Sequence, residues 1–480
     1  MKVRMVPWGA IGMFLWLGGG ALAQTLPPAV AEMLSRAQVP LENVSVVVKE
    51  VGATDATFSL NPDKPMNPAS VIKLVTTYAA LELLGPAYTW KTEVLIAGDM
   101  RRGTLNGDLV LKGSGDPKLS VERFWMLLKQ LRERGLTTLN GDLILDRGFF
   151  ENTPHDPARF DGEPLRPYNV GPDPLLLNFK TVRFFFMASV DDKSVSISPD
   201  VRPAQLEIVN RVKLIDGPCG DWRERVVAEV QTAAPTRLKV SFSGTYSRRC
   251  GESVWNLSLL DHARFVGGVF AHLWRDMGGH WKGDVKLAAT PADARLIATL
   301  ESPPLADAVR DINKFSNNVM ARQLFLTLSA ELNREPGSQN GSAKLIREWL
   351  AKKNIAAPEL ILDNGAGLSR SERISAATLA LLLEAAWKSS VMPEFMSSLA
   401  LVGVDGTLRR RVRNDSVAGQ AHIKTGTLND VRAMAGFVLD ATGHRWMVVM
   451  IVNHPNASLT QAAQDVLLSA VHGSTIASDR

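Results

Sequence analysis

Apolar positions change period several times along the chain, and each change predicts a different element. "VSVVVKE" (Val44 to Glu50) reads as a buried strand, followed by a short one at "TFSL" (Thr57 to Leu60). "NPASVIKLVTT" (Asn67 to Thr77) is apolar at Val71, Ile72, Leu74 and Val75, which predicts a buried helix interrupted by Lys73. Helix positions i and i+3 share a face, so the Ser70 hydroxyl and the Lys73 amine are expected to point at one spot. A lysine in such company either snorkels to water or does chemistry.

From about Tyr88 to Arg147 the pattern shortens to alternating stretches such as "WKTEVLIAG", "NGDLVLKGSGDP" and "NGDLILDRG", with a helix "VERFWMLLKQLRERG" among them. Two Asn-Gly-Asp-Leu units (Asn106 to Leu109, Asn140 to Leu143) each precede an apolar strand, and Asn-Gly is a hairpin signal. A further β-rich stretch runs from about Pro167 to Trp255, and helices return with "ARFVGGVFAHLWRDMGG" and "PLADAVRDINKFSNNVMARQLFLTLSAELN". "QAHIKTGTL", "RAMAGFVLD" and "RWMVVMIVN" then predict an antiparallel meander, closed by a helix from about Leu459 to Val471. The strand near Val44 has nowhere to bury itself except beside that meander. The chain ends should therefore build one domain, residues 24–86 with 286–480, into which two β-rich modules are inserted: 87–165 with 260–285, and 166–259. The fold class is α+β multidomain, and 480 residues fit the roughly three domains that the length implies.

Composition changes this picture little: 45% apolar and 21% charged residues describe an ordinary globular protein. The N-terminus adds an address. Lys2 and Arg4 precede a short apolar run and Ala21-Leu22-Ala23, the layout of a cleaved secretory signal peptide over residues 1–23. No later segment is apolar enough to span a membrane, so a periplasmic protein without a stable membrane span is expected. Removing the two basic residues lowers the formal charge from +5 to +3, too little for nucleic-acid binding. The cluster "TLRRRVRND" (Thr407 to Asp415) is either a solvated face, the favoured reading, or an attractor of an anionic polymer. Cys219 and Cys250 are the only cysteines. In an exported chain they are expected to pair, against the alternative of two buried thiols. Neither they nor His262 and His272 show metal-ligand spacing and no HExxH occurs, so no metal and no cofactor is expected.

Three short motifs occur in order: Ser70-Val71-Ile72-Lys73, Ser316-Asn317-Asn318 and Lys424-Thr425-Gly426. SxxK and KTG are unique in the chain, whereas SxN also matches at Ser59 and Ser338; helix-flanked, apolar surroundings select Ser316. The ordered set resembles the serine penicillin-recognising enzymes. It is most similar to the low-molecular-mass class C penicillin-binding proteins, the D-alanyl-D-alanine carboxypeptidase/endopeptidase family. That family also has a long insertion between SxxK and SxN and stretches like "LVLKGSGDPKLS", "LDNGAGLSRSERIS" and "GVDGTLRRR". Asn317 departs from it where many relatives carry Asp. The resemblance implies a penicillin-binding/β-lactamase-like domain, an antiparallel sheet of about five strands flanked by helices. It also implies peptidoglycan and its D-Ala-D-Ala peptides as substrates and β-lactams as covalent inhibitors.

The chemistry follows from the residues too. A serine hydroxyl needs an adjacent base. Lys73 can serve if its pKa falls from about 10.4 to roughly 7–8, a cost of ~4 kcal/mol met by apolar neighbours and by Lys424 as a second cation. Ser316 would relay the proton to the leaving amine, and Asn318 would orient Lys73 or the substrate amide. With Asn67 as N-cap and Pro68 at N1, Ser70 is third, and its N–H is an oxyanion donor unless the Asn67 side chain caps it. The second donor would be the Thr427 N–H. Gly426 would leave room for substrate along the strand, and Thr425 with Lys424 would hold a terminal carboxylate. Rival readings are a β-lactamase, for which ExxLN and YxN are missing, and a catalytically weak peptidoglycan-binding or β-lactam-sensing protein. His422 shares a strand face with Lys424 and either faces the site or, the favoured reading, is structural.

Overall fold

Val44–Glu50 finds its partner at the opposite end of the chain. In the computed structural model it pairs antiparallel with Arg445–Asn453, Val47 opposite Val449. The structure describes residues 26–474 apart from 190, 192, 235 and 236, so the expected signal peptide lies outside the described residues. The resulting antiparallel sheet has six strands in the order Ala400–Leu401, Ala421–Leu428, Val431–Leu439, Arg445–Asn453, Val44–Glu50, Phe58–Leu60. Period-two alternation splits its side chains between two cores. Val47, Ala433, Ala435, Val449 and Ile451 face the helices Lys73–Leu83, Leu305–Phe315, Asn318–Asn333 and Ala376–Trp387. Val46, Val48, Met434, Val448 and Met450 face Pro28–Arg36 and Gln461–His472. Burial on both faces explains why these strands read as almost unbroken apolar runs. No helix among the described residues is long and apolar enough to cross a membrane.

A seven-stranded sheet forms a second unit around Lys91–Arg101 and Thr104–Gly113. The Asn-Gly pairs do not turn here. The two-residue turn is Arg102-Gly103, both with positive φ (49° and 81°). The two Asn-Gly-Asp-Leu units instead lie side by side, Leu109 opposite Leu143 in parallel, with the Asn140 amide on Asn106 Oδ1 (2.8 Å) and the Asp142 N–H on Asp108 Oδ1 (2.7 Å). Glycine is required because a Cβ on Gly141 would lie 2.2 Å from the Gly107 carbonyl oxygen. The expected boundary at residue 286 also moves. Val285–Leu287 pairs with Leu143–Asp146 and Arg295–Glu301 with Lys91–Arg101, so the chain leaves this sheet at Glu301. Without that last strand Lys91–Arg101 would be an exposed edge.

Two three-stranded sheets within Val182–Leu257 make a third region, whose core joins that of the second. Phe184, Phe186, Phe242, Trp222, Tyr246 and Trp255 pack ring against ring there. Cys219 and Cys250 are joined by a disulfide at a Cα separation of 4.7 Å.

Candidate active site

Ser70 lies on a tight 3-10 turn, Ala69–Ile72, and the α-helix proper begins at Lys73. Asn67 is therefore not the N-cap of a regular helix. Its Oδ1 accepts from the Ala69 N–H (2.9 Å), and among the described residues the Ser70 N–H has no backbone acceptor. Ala69 is left-handed (φ 44°), a conformation that costs a non-glycine residue about 1–3 kcal/mol unless its surroundings hold it. Two glycines permit those surroundings. A Cβ on Gly367 would sit 2.1 Å from the Ala69 carbonyl oxygen, and one on Gly426 would sit 2.5 Å from that of Pro68. Gly426 thus lets the Ala421–Leu428 strand press directly on the turn that carries Ser70.

Lys73 is fully buried, enclosed with Val71, Ile72, Leu74 and Val75. Its Nζ lies 2.8 Å from Ser70 Oγ and 2.7 Å from Asn318 Oδ1, and also contacts the Ala366 carbonyl oxygen. Burial first, then the neighbouring Lys424 charge, hold its pKa well below the ordinary lysine value; Glu372 opposes them and Arg322 adds to them. A neutral amine has two N–H groups and one lone pair. Asn318 Oδ1 and the Ala366 oxygen only accept, so they take both N–H groups, and the lone pair is left for the Ser70 hydroxyl proton.

The SxN residues occupy a corner between helices. Ser316 ends Leu305–Phe315 in the left-handed conformation (φ 56°), and Asn317 caps Asn318–Asn333 by accepting from the Met320 N–H (3.1 Å). That explains the Asn317 departure, since Asn and Asp are comparable N-caps. Ser316 Oγ is 2.9 Å from Lys424 Nζ, which also donates to the Thr425 carbonyl oxygen (2.7 Å). Lys424 is wholly buried, and that burial pushes its pKa down to about 7. Lys424 is therefore sealed behind the site, whereas Thr425 and Thr427 line the cleft. Ala400–Leu401 pairs with Ile423 and His422 and the Val402 N–H donates to the Ala421 carbonyl oxygen (2.9 Å), so among the described residues no strand pairs with the outer edge from Lys424 to Leu428. His422 sits near Lys314, Asp405 and Met396, not among the groups bonded around Ser70.

Ser70, Ser316, Lys73, Asn318 and Lys424 are thus brought together, with Thr425, Gly426 and Thr427 on the adjoining strand; Cys219 and Cys250 are in the third region. The cleft, about 290 Å³, also contains Arg411, which bonds Asp465, and Arg432, whose guanidinium donates to Thr427 Oγ1 (3.1 Å). Sequence reasoning did not single these two out, because Arg411 is one of four arginines in a five-residue run. Nor did it single out Ala366, whose part is played by a backbone carbonyl.

Residues 26–471 match the D-Ala-D-Ala carboxypeptidase 3 (S13) family. The D-alanyl-D-alanine carboxypeptidase DacB of Haemophilus influenzae is 24% identical over 415 residues, 86% of this chain and 85% of that protein. The D-alanyl-D-alanine carboxypeptidase of Actinomadura sp. strain R39 is 27% identical over 441 residues, 88% and 80% of the two chains. The crystal structure of penicillin binding protein 4 (dacB) from Haemophilus influenzae shares the fold, with a TM-score of 0.74 at 24% identity over 92% of this chain and 99% of that one.

Proposed function

The chain belongs to the D-Ala-D-Ala carboxypeptidase 3 (S13) family, and on that premise we propose how its residues carry out the reaction of a serine D-Ala-D-Ala carboxypeptidase. Lys73 takes the Ser70 proton, and Ser70 Oγ attacks the carbonyl carbon between the two D-alanines. The developing oxyanion is held by the Ser70 and Thr427 N–H groups, each donor of this kind contributing about 3–4 kcal/mol. Ser316, bonded to Lys424, relays the proton that Lys73 took from Ser70 to the leaving amine, so that Lys73 is neutral and Ser316 a hydroxyl again as the C–N bond breaks and D-alanine departs. Water then hydrolyses the ester. Thr425 and Thr427 hold the terminal carboxylate, with Lys424 acting from behind through its charge. The same steps open a D-Ala cross-link between two stem peptides, which makes endopeptidase action part of this reading.

The observation that carries it is the set of partners on Lys73 Nζ: two acceptor-only oxygens and one serine hydroxyl. Work on peptidoglycan outside the inner membrane agrees with the secretory-type N-terminus and the disulfide. β-Lactams, as cyclic mimics of the peptide, are expected to acylate Ser70 and leave slowly. The test is to label the purified protein with a fluorescent penicillin, locate the adduct by mass spectrometry and assay D-alanine release from a D-Ala-D-Ala peptide. An adduct on Ser70 together with D-alanine release is the expected result. An adduct elsewhere, no release, or fast nitrocefin turnover would overturn the reading.

A further inference from the structure

Behind Lys73, away from the cleft, lies a buried carboxylate that the proposed mechanism does not use. Glu372 has no exposed surface. Its Oε1 accepts the backbone N–H groups of Asp363 (3.3 Å), Asn364 (3.1 Å) and Gly365 (3.0 Å). Among the described residues its Oε2 is buried with no hydrogen-bond partner. The segment it organises is a closed turn. Ile361 and Arg373 exchange backbone hydrogen bonds at the neck (2.9 and 3.1 Å), and the Glu372 carboxylate plugs the interior. Asn364 Oδ1 accepts from the Ala366 N–H (3.0 Å), and Thr76, one turn after Lys73, donates to the Gly365 carbonyl oxygen (2.8 Å). The turn therefore presents one group to the catalytic pair, the Ala366 carbonyl oxygen, which contacts Lys73 Nζ and lies 3.5 Å from Ser70 Oγ.

A second buried charge stands opposite. Arg322 is one helical turn after Asn318, on the same face of Asn318–Asn333, 7% exposed, and donates to the Val170 carbonyl oxygen (2.9 Å). Among the described residues no ion-pair contact joins Arg322 to Glu372, so the two charges bear on Lys73 from separate elements.

We propose that Glu372 and Arg322 are positioning residues for the acylation step, forming a buried counter-charge pair behind Lys73 in which Glu372 also clamps the turn that carries the Ala366 acceptor. Resting on the function proposed above, this assigns the tuning of the general base to residues that never touch substrate. Glu372, being fully enclosed, has no route to a deacylating water and acts only through the turn and its charge. The groups facing Lys73 are Lys424 from the strand, Arg322 from the helix and Glu372 from the turn, and Asp363 in turn faces Glu372. Burial lifts Glu372 to about 7, and it lowers Arg322 to about 10.

The two charges act on Lys73 with opposite sign, which gives a test that general damage to the fold does not mimic. Acylation needs neutral Lys73, so the acid limb of its pH profile reports the Lys73 proton. Glu372, ionised above its pKa of about 7, favours that proton there; Glu372→Gln is expected to move the limb to lower pH, by up to about one unit for a buried unit charge nearby and by less where the limb lies below pH 7. The Arg322 cation disfavours it; Arg322→Gln is expected to move the limb to higher pH by a similar amount. The experiment is the second-order rate of Ser70 acylation by a fluorescent penicillin from pH 5 to 9, with a melting curve for each variant. Opposite shifts support the inference. Limbs that stay put, or that move the same way, overturn it. If Glu372→Gln does not fold, the Arg322→Gln limb alone decides. Failure of wild-type protein to acylate at Ser70 would sink the proposed function instead, so the two failures are distinguishable.

Discussion

Two lysine–serine pairs meet at the head of this cleft, and they are nearly the same object. Lys73 lies 2.8 Å from Ser70 Oγ, Lys424 lies 2.9 Å from Ser316 Oγ, and both lysines are fully buried. They differ in what else surrounds the amine. Lys73 has two acceptor-only oxygens besides its serine, from Asn318 and Ala366. Lys424 has one, its own strand's Thr425 carbonyl. A neutral Lys73 is fully satisfied with its lone pair aimed at Ser70. Lys424 has a single fixed acceptor, so nothing forces its lone pair onto Ser316, and it is free to act as a donor and a charge. In the proposed reaction one carbonyl oxygen thus distinguishes two otherwise similar pairs.

Removing the members of each pair in turn is the strongest way to break that comparison. Ser70→Ala should abolish covalent attachment of penicillin, while Ser316→Ala should slow attachment without eliminating it; gel fluorescence over time distinguishes them. Lys73→Met removes the base and should lower the acylation rate by about 10³–10⁴-fold, at the upper end of what general-base catalysis contributes. Lys424→Met should cost less, about 10–10²-fold, in keeping with one lost charge-assisted hydrogen bond of ~1.5–3 kcal/mol. Equal losses at the two lysines would mean that the extra acceptor on Lys73 has no functional meaning.

The asymmetry was only half legible in the sequence. Ser70 and Lys73 follow from helical spacing, and the order SxxK, SxN, KTG marks residues that must meet. The meander and its pairing with Val44–Glu50 follow from apolar runs that need cover on both faces. What did not show is what tertiary packing decides. Glu372 stands among Arg370, Ser371 and Arg373 and reads as part of a solvated loop. Its burial arises only because the chain closes at Ile361 and Arg373 and the carboxylate folds onto three N–H groups. Ala366 offers a backbone group, which no side-chain motif encodes. The Asn-Gly pairs failed as turn markers because Arg102-Gly103 adopts the left-handed pair of conformations such a turn needs, leaving Asn106-Gly107 inside a strand.

Smaller changes sharpen the contrast at Lys73. Asn318→Ala leaves one amine N–H without an acceptor in a buried site, a penalty of about 1–3 kcal/mol, so acylation should fall by about tenfold or more. Asn318→Asp supplies an acceptor of the same shape but adds a negative charge. That charge favours protonated Lys73, so the acid limb of acylation should move to higher pH while the rate above it recovers. If Asp and Ala behave alike, the Asn318 contact is packing and not proton control. Gly426→Ala is milder in chemistry but places a methyl group against the Pro68 carbonyl and the Ser70 N–H, so it should reduce acylation while leaving Lys73 titration in place.

The smallest expected effect is on stability, and it asks whether Lys424 is held under strain. Burial takes its pKa to about 7 in the folded protein, whereas in the unfolded chain it sits near the ordinary value of about 10.4. Between those values the unfolded chain binds more protons than the folded one, so stability rises with pH across the window. Below about pH 7 both states are charged and the folded state bears the full desolvation penalty. Lys424→Met removes the penalty but also the bonds to Ser316 and Thr425, so a net gain of about 2 kcal/mol, or ~5 °C in melting temperature, is expected at pH 7. The gap should narrow as the pH is raised to 10, where Lys424 is neutral in the folded protein and begins to lose its proton in the unfolded chain, so that little of the penalty is left. A more stable, less active variant would mean that this corner gives up folding free energy to keep a cation beside Ser316. A melting difference that does not change with pH would mean that Lys424 titrates like a surface lysine, and the distinction between the two lysine–serine pairs would have to rest on Lys73 alone.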